Sequence, residues 1–197
     1  MKVERERVRE TFREYTDAYD ATDEKIKLKI DHTYRVAELC ERIAKAERME
    51  KTEVDLAWLL GMLHDVGRFE QLRRYGTFSD ADSIDHAALG ADILFGGPLS
   101  AGKGLIRTYV DDAAEDEVIE TAIRVHSAYR IPEGLVPRTE KLCHILRDAD
   151  KIDILRVNVD VPLEEIYNTT TEELRNAAVT QAVMESFYEH HATLRSI

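Results

Sequence analysis

The sequence predicts an all-α fold, and three observations lead to this prediction. Apolar residues recur at helical spacing along almost the whole chain, whereas strict apolar–polar alternation over four or more residues is hard to find. Only four prolines interrupt the pattern, and they lie in or beside turns. With 197 residues, 44% of them hydrophobic, the chain can enclose one good core but is too short for two ordinary domains. We therefore expect a single-domain helical bundle spanning residues 1–197.

Helical periodicity predicts seven helices, separated by turn residues. The expected helices are residues 3–20, 30–47, 53–66, 83–95, 116–128, 138–156 and 172–191. The longest segment without clear periodicity is residues 96–115, which contains four glycines followed by a run of acidic residues. This segment is expected to be a solvated loop.

The helix predicted at 30–47 carries a histidine on its apolar face. Val36, Leu39 and Ile43 lie on one face at about 100° per residue, and His32 precedes them on the same face. His32 should therefore point into the core. A single buried histidine usually has only a structural role, so His32 gains significance only together with other residues.

The helix predicted at 53–66 brings a histidine and an aspartate to its end. Its inward face is formed by Val54, Ala57 and Gly61. His64 continues that face, and Val66-Gly67 is interpreted as a C-terminal stop. Side chains of adjacent helical residues point about 100° apart, so His64 and Asp65 can bind the same ion only if it lies between these two directions. The end of a helix leaves room for an ion there.

The helix predicted at 138–156 adds a second aspartate. Its apolar stripe is formed by Leu142, Leu146 and Ala149, and Asp150 lies beside this inward face. Buried carboxylates must be paired, protonated or metal-bound, and one divalent cation would neutralise several of them together. A set of imidazoles and carboxylates without thiolate suits Fe, Mn, Mg, Co, Ni or Zn and does not select among them.

These residues occur in an ordered pattern that resembles the HD superfamily of metal-dependent phosphohydrolases. The signature of that family is a histidine, then a His-Asp dipeptide, then a distant aspartate on a helical core. The matching segments are residues 31–36, 63–68 and 148–153, within a resemblance that spans about residues 30–156. The resemblance implies an HD-type helical bundle in which His32, His64, Asp65 and Asp150 hold a divalent metal. Asp148 is the rival for the last position. The N-terminal helix 3–20 and an extension at 157–197 fall outside the match.

Two further histidines resemble the additional ligands of binuclear HD subfamilies. His86 begins the helix predicted at 83–95, and His126 lies near the end of the one predicted at 116–128. By this resemblance they hold a second ion, and Asp65 is the central catalytic residue because it could bridge two ions about 3.5–4 Å apart. The alternative is that His86 and His126 bind phosphate or cap their helices.

The resemblance implies hydrolysis of a phosphate ester, of a nucleotide or another small phosphorylated metabolite, by attack of a metal-bound hydroxide. Lys151, Arg68 and Arg130 adjoin or follow proposed ligands and are candidates to bind the substrate, although they could equally form surface ion pairs. Residues 78–83 lie where a wall of the substrate site would fit. Two other functions remain open: a di-iron oxygenase with the same ligand pattern, and a non-catalytic nucleotide-binding sensor.

Composition limits the partners. Acidic residues outnumber basic ones 39 to 27, for a formal charge of −12, and such a surface would repel long nucleic acids. No secretory signal or membrane-spanning run is seen, so we expect a soluble, cytoplasmic protein without a membrane partner. Cys40 and Cys143, each within an apolar helical pattern, are expected to be buried and reduced. The sequence gives no prediction of the oligomeric state.

Overall fold

The computed structural model describes residues 1–100, 102–162, 164, 166, 169–191 and 193. Within these residues all regular secondary structure is helical, which confirms the predicted fold class. The helices are α1 (Arg5–Thr16), α2 (Glu24–Ala46), α3 (Lys51–Leu63), α4 (Val66–Tyr75), α5 (His86–Phe95), α6 (Ile106–Tyr109), α7 (Asp116–Val125), α8 (Pro137–Asp160), α9 (Thr171–Asn176) and α10 (Gln181–Tyr188), with a 3₁₀ turn at Asp80–Asp82.

The central helix is α3, which is buried on nearly every side. It packs against α2, α7 and α8, while α4 and α5 pack together beside them. A helix that is apolar all round belongs in the middle of a core, and α3 carries the bulky, fully buried Trp58. Because α3 runs through the core, its last turn delivers the residues that follow it into the interior. Cys40 and Cys143 are buried and free, as predicted.

The predicted helix ends were wrong at several places. Helix α2 begins at Glu24 rather than near residue 30, because the side chain of Asp23 accepts a hydrogen bond from the backbone N–H of Lys25 and caps it. The expected loop at 96–115 contains the short helix α6, and the expected helix at 172–191 is divided into α9 and α10.

The most consequential difference is that the chain continues into a new helix, α4, directly after Asp65. Gly67 is therefore not part of a stop signal. A Cβ atom on Gly67 would lie 2.2 Å from the carbonyl oxygen of His86 and 2.7 Å from the backbone nitrogen of Gly90. Only glycine permits this approach, which presses α4 against α5 and positions His86 next to the His64-Asp65 pair.

Beyond the core, α8 continues to Asp160, and neither α9 nor α10 contains a buried residue. Parts of the expected extension at 157–197, namely residues 163, 165, 167, 168, 192 and 194–197, lie outside the described residues, as does Ala101 of the expected loop. Among the helices that are described, none combines the length and apolarity needed to cross a membrane.

Candidate metal centre

Four of the six candidate ligands lie at or beside the ends of helices that converge in the core. His64 follows the last residue of α3, and Asp65 precedes the first residue of α4. His86 is the first residue of α5 and His126 follows the last residue of α7, so the predicted helix-end positions are confirmed. The two remaining residues come from the interiors of long helices, His32 from α2 and Asp150 from α8.

The first group of side chains consists of His32, His64 and Asp150, with one oxygen of Asp65. The Nε2 atom of His32 lies 3.3 Å from Nε2 of His64 and 3.1 Å from Oδ1 of Asp150. The Oδ2 atom of Asp65 lies 3.6 Å from Nε2 of His32 and 3.4 Å from Nε2 of His64. The donor atoms of His32, His64 and Asp150 thus lie within 4.8 Å of one another, and Asp65 approaches the two histidines, although these residues are far apart in the sequence.

The second group faces the other oxygen of Asp65. Its Oδ1 atom lies 3.5 Å from Nε2 of His86 and 3.7 Å from Nε2 of His126. The two imidazole Nε2 atoms are themselves 3.1 Å apart. Asp65 therefore stands between the two groups and presents one carboxylate oxygen to each.

Hydrogen bonds at the opposite ring nitrogens set the tautomers of these histidines. The Nδ1 atoms of His64 and His126 lie 2.8 and 2.7 Å from the backbone carbonyls three residues earlier, at Gly61 and Ile123. A carbonyl can only accept, so Nδ1 carries the proton and Nε2 offers a lone pair to the centre.

Carboxylates have the same effect on the other two histidines. Nδ1 of His32 lies 2.7 Å from Oδ2 of Asp153, which in turn accepts two hydrogen bonds from Arg35. Nδ1 of His86 lies 2.7 Å from Oδ2 of Asp80. Carboxylates that orient ligating histidines in this way are typical of metal sites.

The donor set fits divalent cations. Pairs of imidazole lone pairs about 3 Å apart repel each other unless a cation lies between them. Ligand atoms at about 2.0–2.2 Å from one ion stand about 3.0–3.6 Å apart, close to the separations in both groups. The cluster could therefore hold a metal ion. A third cluster, around Asp80, Asp85 and His86, has another explanation, since Asp80 orients His86 and Asp85 caps α5.

The pKa values favour ionised carboxylates at Asp65 and Asp150 and a neutral ring at His86, whereas the pKa of His32 is raised, because its hydrogen bonds with Asp150 and Asp153 outweigh burial. Burial raises the pKa of Asp65, but the ammonium of Lys29, together with the neighbouring histidine rings, outweighs burial and holds that pKa well below its usual range. Burial also raises the pKa of Asp150, and the hydrogen bond with His32 more than offsets it. Burial and the charge of Arg68 lower the pKa of His86 to about 4, which keeps its ring neutral near pH 7.

A family comparison agrees with this geometry. The model of the HD domain matches residues 30–155, more than half of the chain and almost the same range as the resemblance seen in the sequence. The chain belongs to the HD domain family. This family includes metal-dependent phosphohydrolases, and HD domains bind divalent metals. Comparisons with curated proteins and with solved structures gave no match.

A cavity of about 580 Å³ opens beside the histidine–aspartate cluster of this HD domain. Its lining includes His32 and Arg68, together with Phe78, Ser79, Asp80 and Asp82 from the segment expected to form a wall. Lys151 and Arg130 line a different and smaller depression of about 360 Å³, together with Arg147. Asp148 lines that second depression and is exposed, whereas Asp150 faces the cluster.

Three residues of the HD domain site had no role in the sequence interpretation: Lys29, Asp80 and Asp153. The Nζ atom of Lys29 lies 2.8 Å from Oδ2 of Asp65. Asp80 connects His86 to Arg68, because it also accepts a hydrogen bond of 2.8 Å from Arg68 Nη1. Asp153 lies in the matched segment 148–153, so its inward position one turn after Asp150 was the only available signal. Lys29 carried none, because its partner Asp65 is 36 residues away in the sequence. Asp80 lay only in the segment 78–83 that was expected to form a wall.

Proposed function

We propose that this HD domain is a metal-dependent phosphohydrolase that cleaves a phosphate ester of a small phosphorylated molecule, such as a nucleotide. The observation that supports the proposal most strongly is the position of Asp65, whose two oxygens face two separate pairs of histidines. Such a carboxylate can bridge two cations, an arrangement common among enzymes that hydrolyse phosphate esters.

In this proposal His32, His64 and Asp150 hold one ion, His86 and His126 hold the other, and Asp65 bridges them. Divalent cations at these positions would lower the pKa of a coordinated water and neutralise the negative charge of phosphate oxygens. Asp153 and Asp80 keep the rings of His32 and His86 in the ligating tautomer. The protein thus supplies a largely buried donor set in which carboxylates orient the rings of His32 and His86.

The reaction is hydrolysis without a change of oxidation state. Water adds to phosphorus, the bond from phosphorus to the ester oxygen breaks, and the products are an alcohol and phosphate. Of the three basic residues suggested by the sequence, Arg68 is the strongest candidate to hold the phosphate, since it lines the cavity beside His32. The charge of −12 favours a small substrate over a long nucleic acid.

The test is a phosphatase screen of protein purified without chelator, coupled to metal analysis and to measurement of oxygen uptake after loading with iron. We expect metal-dependent phosphate release from at least one small ester, abolished by chelation and restored by adding the metal back. Oxygen uptake without phosphate release would instead support the di-iron oxygenase, and nucleotide binding without turnover would support the sensor. Either result would overturn the proposal.

A further inference from the structure

The wall of the cavity that adjoins the metal centre carries two cations close together. Lys29 comes from α2, one turn before His32, and Arg68 comes from the first turn of α4. The Nζ atom of Lys29 lies 5.3 Å from the centre of the Phe78 ring, and the guanidinium carbon of Arg68 lies 5.8 Å from it. The same aromatic ring therefore contacts both cations.

Both cations also point at the bridging carboxylate. Lys29 Nζ is 2.8 Å from Oδ2 of Asp65, and Arg68 Nε is 3.8 Å from Oδ1. Arg68 Nη1 is fully engaged with Gln71, the Phe78 carbonyl and Asp80, but its buried Nε has no hydrogen-bond partner among the described residues. A buried donor without a partner is costly, so this N–H group is available to an acceptor that enters the cavity.

The two acidic residues of the same wall, Asp80 and Asp82, are already engaged in hydrogen bonds. Asp80 is already shared between His86 and Arg68 Nη1, and Asp82 accepts a hydrogen bond of 2.6 Å from the Ser79 hydroxyl. Divalent cations held by Asp65 would take up its charge and repel the Lys29 ammonium. The flexible lysine side chain would then let the ammonium turn towards an anion in the cavity.

The α8 side of the cavity is mostly apolar. Ile154 and Val157 of α8, together with Leu28 of α2, form an apolar wall. The polar residue that α8 adds to the lining is Asn158, whose side-chain amide donates a hydrogen bond to the Ile154 carbonyl, and no basic residue of α8 lines the cavity. Cavities of a few hundred cubic ångströms that combine an apolar wall with a few convergent polar groups are typical of sites for small organic molecules.

Building on the proposed phosphohydrolase function, we infer that Lys29 and Arg68 bind the phosphate of the substrate, while its organic part packs against Leu28, Ile154 and Val157. The substrate class is accordingly a small phosphate ester whose organic part presents an aromatic or apolar face to these side chains. Lys29 is a phosphate-binding residue in this scheme, and the apolar wall of Leu28, Ile154 and Val157 determines specificity.

The first experiment measures binding of inorganic phosphate to the Mn²⁺-loaded protein by titration calorimetry. Lys29→Met should raise the Kd for phosphate about tenfold, the effect of losing one charge-assisted hydrogen bond, with unchanged metal content. Lys29→Arg should restore part of the affinity. The matched control is Lys27→Met on the same helix, whose lysine pairs with Glu24 and does not line this cavity, and it should bind phosphate as the parent does.

An unchanged Kd in Lys29→Met would overturn the role of Lys29, and so would loss of metal from that variant. These results are distinguishable from failure of the proposed function. If the parent hydrolyses esters but Lys29→Met binds phosphate normally, the inference falls and the phosphohydrolase stands. If Lys29 governs phosphate binding but no ester is hydrolysed, the phosphate site stands and the proposed function falls.

The second experiment compares phenylphosphonate with methylphosphonate, two phosphate mimics that cannot be hydrolysed and differ in their organic part. The parent should bind phenylphosphonate about tenfold more tightly, because the ring buries apolar area. Ile154→Ser should remove most of this preference. Leu155→Ser, which changes the more exposed neighbouring residue outside the cavity, should retain it. Equal affinities of the parent for the two ligands, or loss of the preference in both variants alike, would overturn the assignment of the apolar wall.

Discussion

The Nε2 atom of His86 lies 3.1 Å from the Nε2 atom of His126, and the Nδ1 atom of each ring faces an acceptor. Two imidazoles cannot share such a contact favourably when both nitrogens offer lone pairs, unless a cation lies between them. The pair therefore supports a second ion, distinct from the one that His32 and Asp150 would hold, with Asp65 common to both.

The first prediction concerns the number of ions. His86→Ala and His126→Ala should each lower the metal stoichiometry from two ions per chain to one, because the first ion keeps His32, His64, Asp65 and Asp150. Turnover should fall steeply, since one ion must then both activate water and neutralise phosphate. Elemental analysis of the two variants beside the parent tests this. A parent that saturates at one ion would leave a mononuclear HD hydrolase.

The second prediction concerns Asp65. Asp65→Ala should remove both ions and all turnover, because it deletes an oxygen from each group, while the helical content measured by circular dichroism stays close to that of the parent. The matched control is Asp148→Ala, which removes an exposed carboxylate from α8 and should keep its metal. Full metal content in Asp65→Ala, or metal loss in Asp148→Ala, would contradict this ligand assignment.

The third prediction tests the support behind His32. Asp153→Asn removes the charge that orients this ring, and the affinity for the first ion should fall by about tenfold or more. Arg35 would also lose its ionic partner. Competition with a chelator of known affinity gives the measurement, and Asp160→Asn on the same helix is the control. Equal affinities for the parent and Asp153→Asn would mean that the hydrogen bond is not needed for ligation.

The fourth prediction concerns stability and pH. Hydrogen bonds from Arg5 and then Lys45 lower the pKa of Glu41 from 4.5 to about 2. Because the folded pKa is depressed, the contribution to stability is present above pH 4.5 and is lost as the pH falls towards 2. Glu41→Gln should therefore reduce the free energy of unfolding by about 1 kcal/mol at neutral pH.

The difference in the free energy of unfolding between Glu41→Gln and the parent, measured by urea unfolding, should narrow progressively below pH 4.5. Glu38→Gln, an exposed change on the same helix, should leave stability nearly unchanged across that range. If the difference in the free energy of unfolding between Glu41→Gln and the parent stays constant or widens in acid, Glu41 acts through packing rather than through its charge.

The fold class and the family could be predicted because they depend on local patterns. Helical periodicity is repeated along the chain, and the ordered His, His-Asp and Asp pattern survives without knowledge of tertiary structure. Candidate ligands such as His86 and His126 were visible because each ends an apolar stripe at a helix terminus, a placement that depends only on the neighbouring sequence.

The features that could not be predicted from the sequence depend on tertiary contacts. Val66-Gly67 has the local signature of a helix stop, yet Gly67 packs against α5 and the chain continues as α4. Lys29 looks like any charged residue near a helix end until Asp65 and Phe78 are placed beside it. Asp80 gains its role only because the 3₁₀ turn folds back onto His86.

The most direct test of the proposed binuclear centre is a crystal structure of the protein loaded with Mn²⁺, with anomalous diffraction recorded to locate the ions. We predict two anomalous peaks about 3.5–4 Å apart on either side of the Asp65 carboxylate, one within reach of His32, His64 and Asp150 and the other within reach of His86 and His126. A single peak, or peaks that do not lie beside Asp65, would contradict the account.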